Sequence, residues 1–300
     1  MGRGISDKIR ELARRKKALI LAHNYQPPEI QNMADMRGDS LELSIKAADT
    51  DAEIIVFCGV HFMAETASIL CPEKTILLPR TDAGCPMADM ITPEALDKKI
   101  NSTPGIPIVT YVNSSAAVKA MSTVCCTSAN SVKVVQSLDG DEVLMVPDRN
   151  LAAYTAGHTE KKIHFWNGFC PYHDRLDPDT VSNAKRQHPG AVFMAHPECR
   201  PEITAMADIV TSTSGMLKHA GQSESGEFIV GTETGLIYAL EKANPAKTFY
   251  PASEQMYCGE MKKITPPDIK ASLETLSGEV RVPEEIRIPA LAAVKRMLSV

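Results

Sequence analysis

The sequence predicts an α/β protein of three repeated three-layer αβα units, related by a pseudo-threefold axis, with parallel sheets around a central active-site cavity. Three observations predict it. Short apolar runs end in polar residues at Ala18–Tyr25, Ile106–Asn113 and Ala191–Glu198, the form of a buried parallel strand. Their spacing repeats, with 88 residues from His23 to Tyr111 and 85 from Tyr111 to His196. The same offsets carry Ser40 to Ser128 and Thr213, and map the segment from Gly59 onto those from Pro147 and Thr232. Agreement at three landmarks marks an internal repeat.

Each unit opens with a predicted helix. Ser6-Asp7, Thr92-Pro93-Glu94 and Asp177-Pro178-Asp179 each offer an N-cap, two of them with Pro at the first helical position. The apolar run follows as the first strand, and the segments from Gly59, Pro147 and Thr232 read as strand ends running into helices. Alternation of helix and strand implies parallel sheets covered on both faces. The expected division is residues 1–89, 90–175 and 176–264 for the three repeats and 265–300 for a helical closure. Units of this size are small for stand-alone domains, so they are expected to pack on one another. A fourth helix start at Thr265-Pro266-Pro267-Asp268 has no complete unit behind it. The apolar stripe Ile286, Ile288, Leu291, Val294 and Leu298 is expected to pack the tail back onto the body. Arg14-Arg15-Lys16-Lys17 reads as the solvated basic end of the first helix, where it suits the helix dipole.

Composition narrows the function classes. The 300 residues carry 32 Lys and Arg against 37 Asp and Glu, a formal charge of −5. That balance argues against sequence-independent nucleic-acid binding, which needs a basic face. No apolar run is long enough to span a membrane. The charged N-terminal segment lacks a signal-peptide core, so a cytoplasmic location is expected. Met1-Gly2-Arg3-Gly4-Ile5-Ser6 fits the loose myristoylation pattern, but no second membrane signal follows it. Asn101-Ser102-Thr103 and Asn113-Ser114-Ser115 match the glycosylation pattern, which has no meaning without secretion. Eight cysteines are too sparse for a disulfide scaffold and are expected as thiols.

Ligands of open parallel sheets collect at the carboxyl ends of strands, facing helix N-termini. Three such ends around one axis would converge on one cavity. His23 and Tyr25, Tyr111 and Asn113, and His196 and Glu198 fill the same two slots in the three units. Residues i and i+2 on a strand share a face, so each pair is expected to point one way. Taken singly, such residues are more often structural; three mapped polar pairs favour function. Ser40, Ser128 and Thr213 each precede a helical pattern and read as N-caps, where free N–H groups also suit anions. As a trio they would suit substrates carrying a phosphate and carboxylates.

The cysteines complete the pattern. Cys85, Cys170 and Cys258 are separated by 85 and 88 residues, one in an equivalent loop of each unit. Convergent thiolates suit a metal or cluster, and no Cys-x-x-Cys pair points to a zinc ribbon. An iron–sulfur cubane normally takes four cysteines. With three, one iron would be open to bind substrate as a Lewis acid. Cys58, Cys125 and Cys126 lie in apolar runs, Cys71 precedes Pro72, and Cys199, beside His196 and Glu198, is the rival ligand.

At these residues the sequence resembles quinolinate synthase. The resemblance covers essentially the whole chain and is carried by Leu21-Ala-His-Asn-Tyr-Gln26, Gly38-Asp-Ser-Leu41, Phe62-Met-Ala-Glu65, Tyr111-Val-Asn-Ser114, Thr127-Ser-Ala-Asn130, Pro147-Asp-Arg-Asn-Leu151, His196-Pro-Glu-Cys199 and the three cysteine loops. It implies a [4Fe–4S] cluster held by Cys85, Cys170 and Cys258 with one iron free. It also implies a transferase of NAD biosynthesis that condenses iminoaspartate with dihydroxyacetone phosphate to quinolinate, losing phosphate and two waters. A transient partner supplying iminoaspartate goes with that role. Carried over by position, His23, Tyr25, Asp39, Ser40, Tyr111, Asn113, Ser128, His173, His196, Glu198 and Thr213 would line the substrate pocket, with Met63 in its wall. Glu198, with Tyr25 or a histidine, would move protons; His23, His196 and Tyr111 complete the candidate catalytic set. His61, Gly84 and Phe169 depart from the family's pattern beside these motifs and leave the three ligands untouched. Two rivals stand beside this reading. One is an iron–sulfur hydro-lyase or reductase on the same plan, the other a non-catalytic metal- or anion-binding protein. Nothing in the sequence marks a docking surface for an electron donor.

Overall fold

The computed structural model describes residues 4–300; the first three residues of the myristoylation-like pattern lie outside the described residues. Buried apolar strands alternate with amphipathic helices three times over. The first repeat runs α1 (Ile5–Arg15), β1 (Ala18–His23), α2 (Pro28–Met33), β2 (Met36–Gly38), α3 (Ser40–Ala48), β3 (Ile54–Cys58), α4 (His61–Leu70) and β4 (Thr75–Leu77). The second runs α5 (Pro93–Ser102), β5 (Ile108–Tyr111), α6 (Ala116–Ala120), β6 (Val124–Cys126), α7 (Ser131–Gln136), β7 (Glu142–Val146), α8 (Arg149–Ala156), β8 (Lys162–Phe165) and the single turn α9 (Pro171–Asp174). The third runs α10 (Pro178–Gln187), β9 (Val192–Ala195), α11 (Pro201–Thr204), β10 (Ile209–Val210), α12 (Thr213–Gln222), β11 (Glu227–Gly231), α13 (Gly235–Ala243) and β12 (Thr248–Pro251). Short 3₁₀ turns at Ala88–Met90 and Glu260–Lys262 close the first and third repeats as α9 closes the second. Helices α14 (Pro266–Thr275) and α15 (Glu284–Leu298) complete the chain.

The three sheets have one topology. Their orders are β2-β1-β3-β4, β6-β5-β7-β8 and β10-β9-β11-β12, and every pairing is parallel. The order reverses between the first and third strands of each sheet, and such switch points are where α/β folds bind ligands. The inner strands are apolar runs with almost every residue buried, as in Ile54–Cys58. Edge strands are short, two residues in β10 and three in β2, which limits unpaired backbone. The largest core cluster includes residues of all three repeats, among them Leu21, Val109 and Met194. Two satellite clusters serve the second and third repeats, around Leu144 and Phe193.

Several sequence expectations change here. Helix α1 starts at Ile5 behind Gly4, with no side-chain cap, so Ser6 lies inside the helix. Thr92 and Asp177 do cap, accepting the N–H groups of Ala95 and Thr180, and Thr265 heads a capping box. Of the expected α15 stripe, Val294 is buried and Ile286, Leu291 and Leu298 pack against the core partly buried, joined by Ala290, Ala293 and Met297, while Ile288 is 59% exposed. That helix packs on α4, α6 and β6, tying the first repeat to the second, and small residues allow the close approach. The tail is also pinned by Gly278, whose carbonyl accepts the Leu78 N–H. Gly278 has φ +82, and an added Cβ would stand 2.3 Å from the Leu78 carbonyl oxygen. Gly278→Ala is expected to cost about 2 kcal/mol or more, combining left-handed strain with a backbone clash. A denaturation midpoint equal to wild type would contradict this.

Candidate active site

The strand ends of all three sheets open on one cavity. It is bordered by His23, Tyr25, Asp39 and Ser40 of the first repeat, Tyr111, Asn113 and Ser128 of the second, and His196, Glu198 and Thr213 of the third. Cys85, Cys170, Cys258 and His173 also border it. Met63 does not. It is buried behind the wall, and Val60 and Phe62 face the cavity in its place. The mapped pairs converge without lying wholly on strands. His23 and Tyr111 end β1 and β5, His196 follows β9, and Tyr25, Asn113 and Glu198 sit in the turns beyond.

Local backbone fixes the two histidines alike. His23 Nδ1 accepts the Tyr25 N–H at 3.2 Å, and His196 Nδ1 accepts the Glu198 N–H at 3.3 Å. An imidazole that accepts on Nδ1 carries its proton on Nε2. Burial lowers the pKa of His23 to about 3, helped by Lys262 and His196 and opposed by Glu198. Burial likewise lowers His196 to about 3 against the opposing Glu198, so both rings are neutral near pH 7. Below 6.5 the unfolded histidines take up protons that the folded ones refuse, so this contribution to stability is complete above pH 6.5 and lost as pH falls. Each ring is expected to cost about 2 kcal/mol between pH 6.5 and 5. Urea titrations of the metal-free protein should therefore show a shallower acid slope for His196→Gln than for wild type. Equal slopes would refute this.

Serine and threonine take a different place from the one expected. Asp39 and Ser212 are the caps of α3 and α12, leaving Ser40 and Thr213 as first helical residues. Asn130 precedes α7, and Ser128 lies in the turn before it. The polar residue just before each helix caps the start or folds back onto its own turn, as Asn130 does on the Thr127 N–H at 2.7 Å. The Ser40, Ser128 and Thr213 side chains are thus spared for the cavity that all three border. Thr213 also accepts from Asn24 at 3.0 Å, and Ser212 donates to Asp39 at 3.2 Å, which latches the first repeat to the third.

The centre of the site is a buried hydrogen-bonded chain. His173 Nδ1 lies 2.8 Å from Glu198 Oε2, and Tyr111 donates to Glu198 Oε1 at 2.7 Å. His173 Nε2 lies 2.8 Å from Thr232 Oγ1, which is 2.6 Å from the Tyr25 hydroxyl. A carboxylate can only accept, so His173 carries its proton on Nδ1. The donors then run from Tyr25 through Thr232 and His173 to Glu198. Burial pushes the Glu198 carboxyl up, but His173, His196 and the His173 and Tyr111 hydrogen bonds together hold it down, at about 2. Burial, with Glu198 nearby, keeps both tyrosines well above the usual phenol range and protonated. Asn113 Oδ1 is buried with no partner among the described residues, an acceptor free for substrate. Thr232, 1% exposed, was missed by sequence reasoning. The repeat aligned it with Gly59 and Pro147, neither of which has a side-chain donor.

Three cysteines, one from each repeat, border the cavity and are half-buried, whereas the other five are buried. Each Sγ accepts the backbone N–H three residues on, Cys85 from Ala88, Cys170 from His173 and Cys258 from Met261. Burial nevertheless raises all three thiols, Cys85 to about 12, with Glu198 adding to the effect on Cys85 and Cys170. Three soft donors converging beside buried Glu198 fit a cationic iron–sulfur group, whose charge would deprotonate the thiols. Cys170, His173 and Glu198 also bring donor atoms within 4.8 Å of one another. Cys199, the rival ligand, is 1% exposed, does not border the cavity and donates to the Gly231 carbonyl.

Residues 7–299 match the family model described as quinolinate synthetase A protein. The chain is 54% identical over 296 residues to the quinolinate synthase of Geotalea uraniireducens, covering 99% of this chain and 97% of that one. It is 57% identical to that of Dehalococcoides mccartyi strain 195, with 99% and 98% covered. Against quinolinate synthase 1 of Methanosarcina acetivorans it is 53% identical, with 98% and 96% covered. The chain belongs to the quinolinate synthetase A family.

Proposed function

We propose that this family member is a quinolinate synthase, a transferase that condenses iminoaspartate with dihydroxyacetone phosphate to quinolinate, losing phosphate and two waters, in NAD biosynthesis. One observation carries the reading: three cysteines, one per repeat, border the same cavity as the Tyr25–Thr232–His173–Glu198–Tyr111 chain. Cys85, Cys170 and Cys258 would hold a [4Fe–4S] cluster with one iron left without a protein ligand. When bound, that group supplies a Lewis acid for substrate oxygens.

The protein's own groups divide the remaining work. Neutral His23 and His196 present Nε2–H donors to carbonyl or carboxylate oxygens without bringing charge. Ser40, Ser128 and Thr213 hold the phosphate and carboxylates. Glu198, an anion at neutral pH, takes the proton released as a carbon–carbon or carbon–nitrogen double bond forms. Tyr25, protonated at the other end of the chain, delivers a proton to a departing hydroxyl. It is restored once His173 shifts its proton from Nδ1 to Nε2. That proton passes to Thr232 as Thr232's own passes to Tyr25, and protonated Glu198 returns a proton to Nδ1, which regenerates the original chain. Abstraction and delivery thus sit at two ends of one chain, which suits successive dehydrations.

No helix among the described residues is long and apolar enough to cross a membrane. The eight free cysteines support a reducing cytoplasmic location. The reading is tested by reconstituting the protein with iron and sulfide without oxygen. Dihydroxyacetone phosphate is then added with iminoaspartate generated in place from oxaloacetate and ammonia. Quinolinate detected by mass spectrometry supports the reading; none from protein holding about four irons per chain rejects it.

A further inference from the structure

Two buried carboxylates that take no part in the proton chain share an arrangement. Asp148 precedes α8 and Glu233 lies just before α13. They are separated by 85 residues, and the corresponding position of the first repeat is Val60. Asp148 is 2% exposed and Glu233 1%. Asp148 Oδ2 accepts the backbone N–H of Cys170 at 3.1 Å, and Glu233 Oε1 accepts that of Cys258 at 3.1 Å. In the first repeat, where valine cannot do this, Glu260 reaches in from the third repeat and accepts the Gly84 N–H at 2.7 Å, beside Cys85. Every cysteine loop is therefore tied by a carboxylate at or next to the cysteine.

The ties reach further than the loops. The other oxygen of Asp148 accepts the Leu151 N–H and caps α8. The other oxygen of Glu233 pairs with Lys262 at 2.9 Å and accepts the Gly235 N–H at 2.8 Å. Lys262 also donates to the Tyr25 carbonyl. A Cβ on residue 235 would stand 2.5 Å from Lys262 Nζ and 2.6 Å from that carbonyl, so glycine is required for the approach.

We propose that Asp148 and Glu233 are positioning residues for the iron–sulfur ligands, each fixing one cysteine loop by taking the backbone N–H of the cysteine itself. The inference rests on the cluster reading above. Its chemical consequence concerns reduction. Hydrogen bonds to cluster sulfurs stabilise the reduced state and raise the potential. A carboxylate that captures the Cys170 or Cys258 N–H withholds that donor from sulfur. Each sulfur keeps the N–H groups of the turn that follows, with His173 Nδ1 also 3.2 Å from the Cys170 sulfur. A group needed as a Lewis acid rather than an electron carrier is thereby held in its oxidised state.

Asp148→Asn and Glu233→Gln isolate the tie. The amide oxygen can keep the Leu151 N–H, or the Gly235 and Lys262 donors, while the amide N–H₂ is turned on the cysteine N–H and cannot accept it. The variants are reconstituted as the full chain and compared by redox titration followed by electron paramagnetic resonance, and by iron release to a ferrous chelator. Each is expected to show a higher midpoint potential and about tenfold faster iron release. Asp177→Ala, which removes the side-chain cap of α10 and touches no cysteine N–H, controls for lost stability and should move neither. Glu233 is not the cap of a helix, so its variant carries the test if Asp148→Asn fails to fold. Wild-type potential and release in folded variants overturn this inference alone. A wild-type chain that takes up no cluster overturns the cluster reading and the inference with it.

Discussion

Cys258→Ala protein is expected to fold, to hold well under the wild-type iron after reconstitution, and to form no measurable quinolinate. Cys258 is half-buried in the loop after β12 and packs only at the edge of the main core, so its truncation should spare the fold. Its loss removes one of three soft donors from a cavity whose walls offer no fourth cysteine. Cys199→Ala is the informative partner. Cys199 lies under the site in the satellite core of the third repeat, so its truncation should cost about 1 kcal/mol in packing and leave iron and turnover intact. Iron and sulfide counts on both variants decide the ligand set. A Cys258→Ala chain that keeps its iron, or a Cys199→Ala chain that loses it, would show that the wrong thiols have been assigned.

The contrast between those two cysteines shows what the sequence makes legible. Repeat spacing placed Cys85, Cys170 and Cys258 in equivalent loops, and the same spacing placed the polar pairs and the three sheets, because one supersecondary plan is used three times. Cys199 sits beside His196 and Glu198 in sequence, yet the turn after β9 sends its thiol the other way, toward the Gly231 carbonyl. Side-chain direction in a turn is not periodic, so spacing could not decide it. The same limit explains Met63, which follows Phe62 into α4 and is rotated behind the cavity wall. It also explains Ser40 and Thr213, which lost the cap to the residue before them. Thr232, Asp148 and Glu233 act across repeats or between a strand end and a distant loop. The long-range pairing of Tyr25 with Thr232, 207 residues apart, depends on how three units pack, and no local pattern encodes it.

The largest effect on turnover without loss of the cluster is expected for Glu198→Gln. Glu198 is 4% exposed and holds contacts on both oxygens, with His173 on one and Tyr111 on the other. Glutamine keeps the volume and can still accept from one of them, so the fold should survive with a loss of about 1–3 kcal/mol for the mispaired donor. Proton transfer is another matter. The amide cannot take a proton from substrate, and the chain to Tyr25 has no terminus from which to be refilled. General acid–base catalysis contributes about 10²–10⁴-fold, and this carboxylate serves both directions of the chain. The expected kcat is about a thousandth of wild type with KM little changed, because the hydroxyls and histidine N–H groups that hold substrate are untouched. Iron content separates this from the alternative that Cys170, His173 and Glu198 together bind a single metal ion, which their proximity would allow. A ligand role predicts that Glu198→Gln loses metal; a proton-transfer role predicts that metal stays while turnover collapses. A kcat within tenfold of wild type, in protein carrying its full iron, would remove Glu198 from the chemistry altogether.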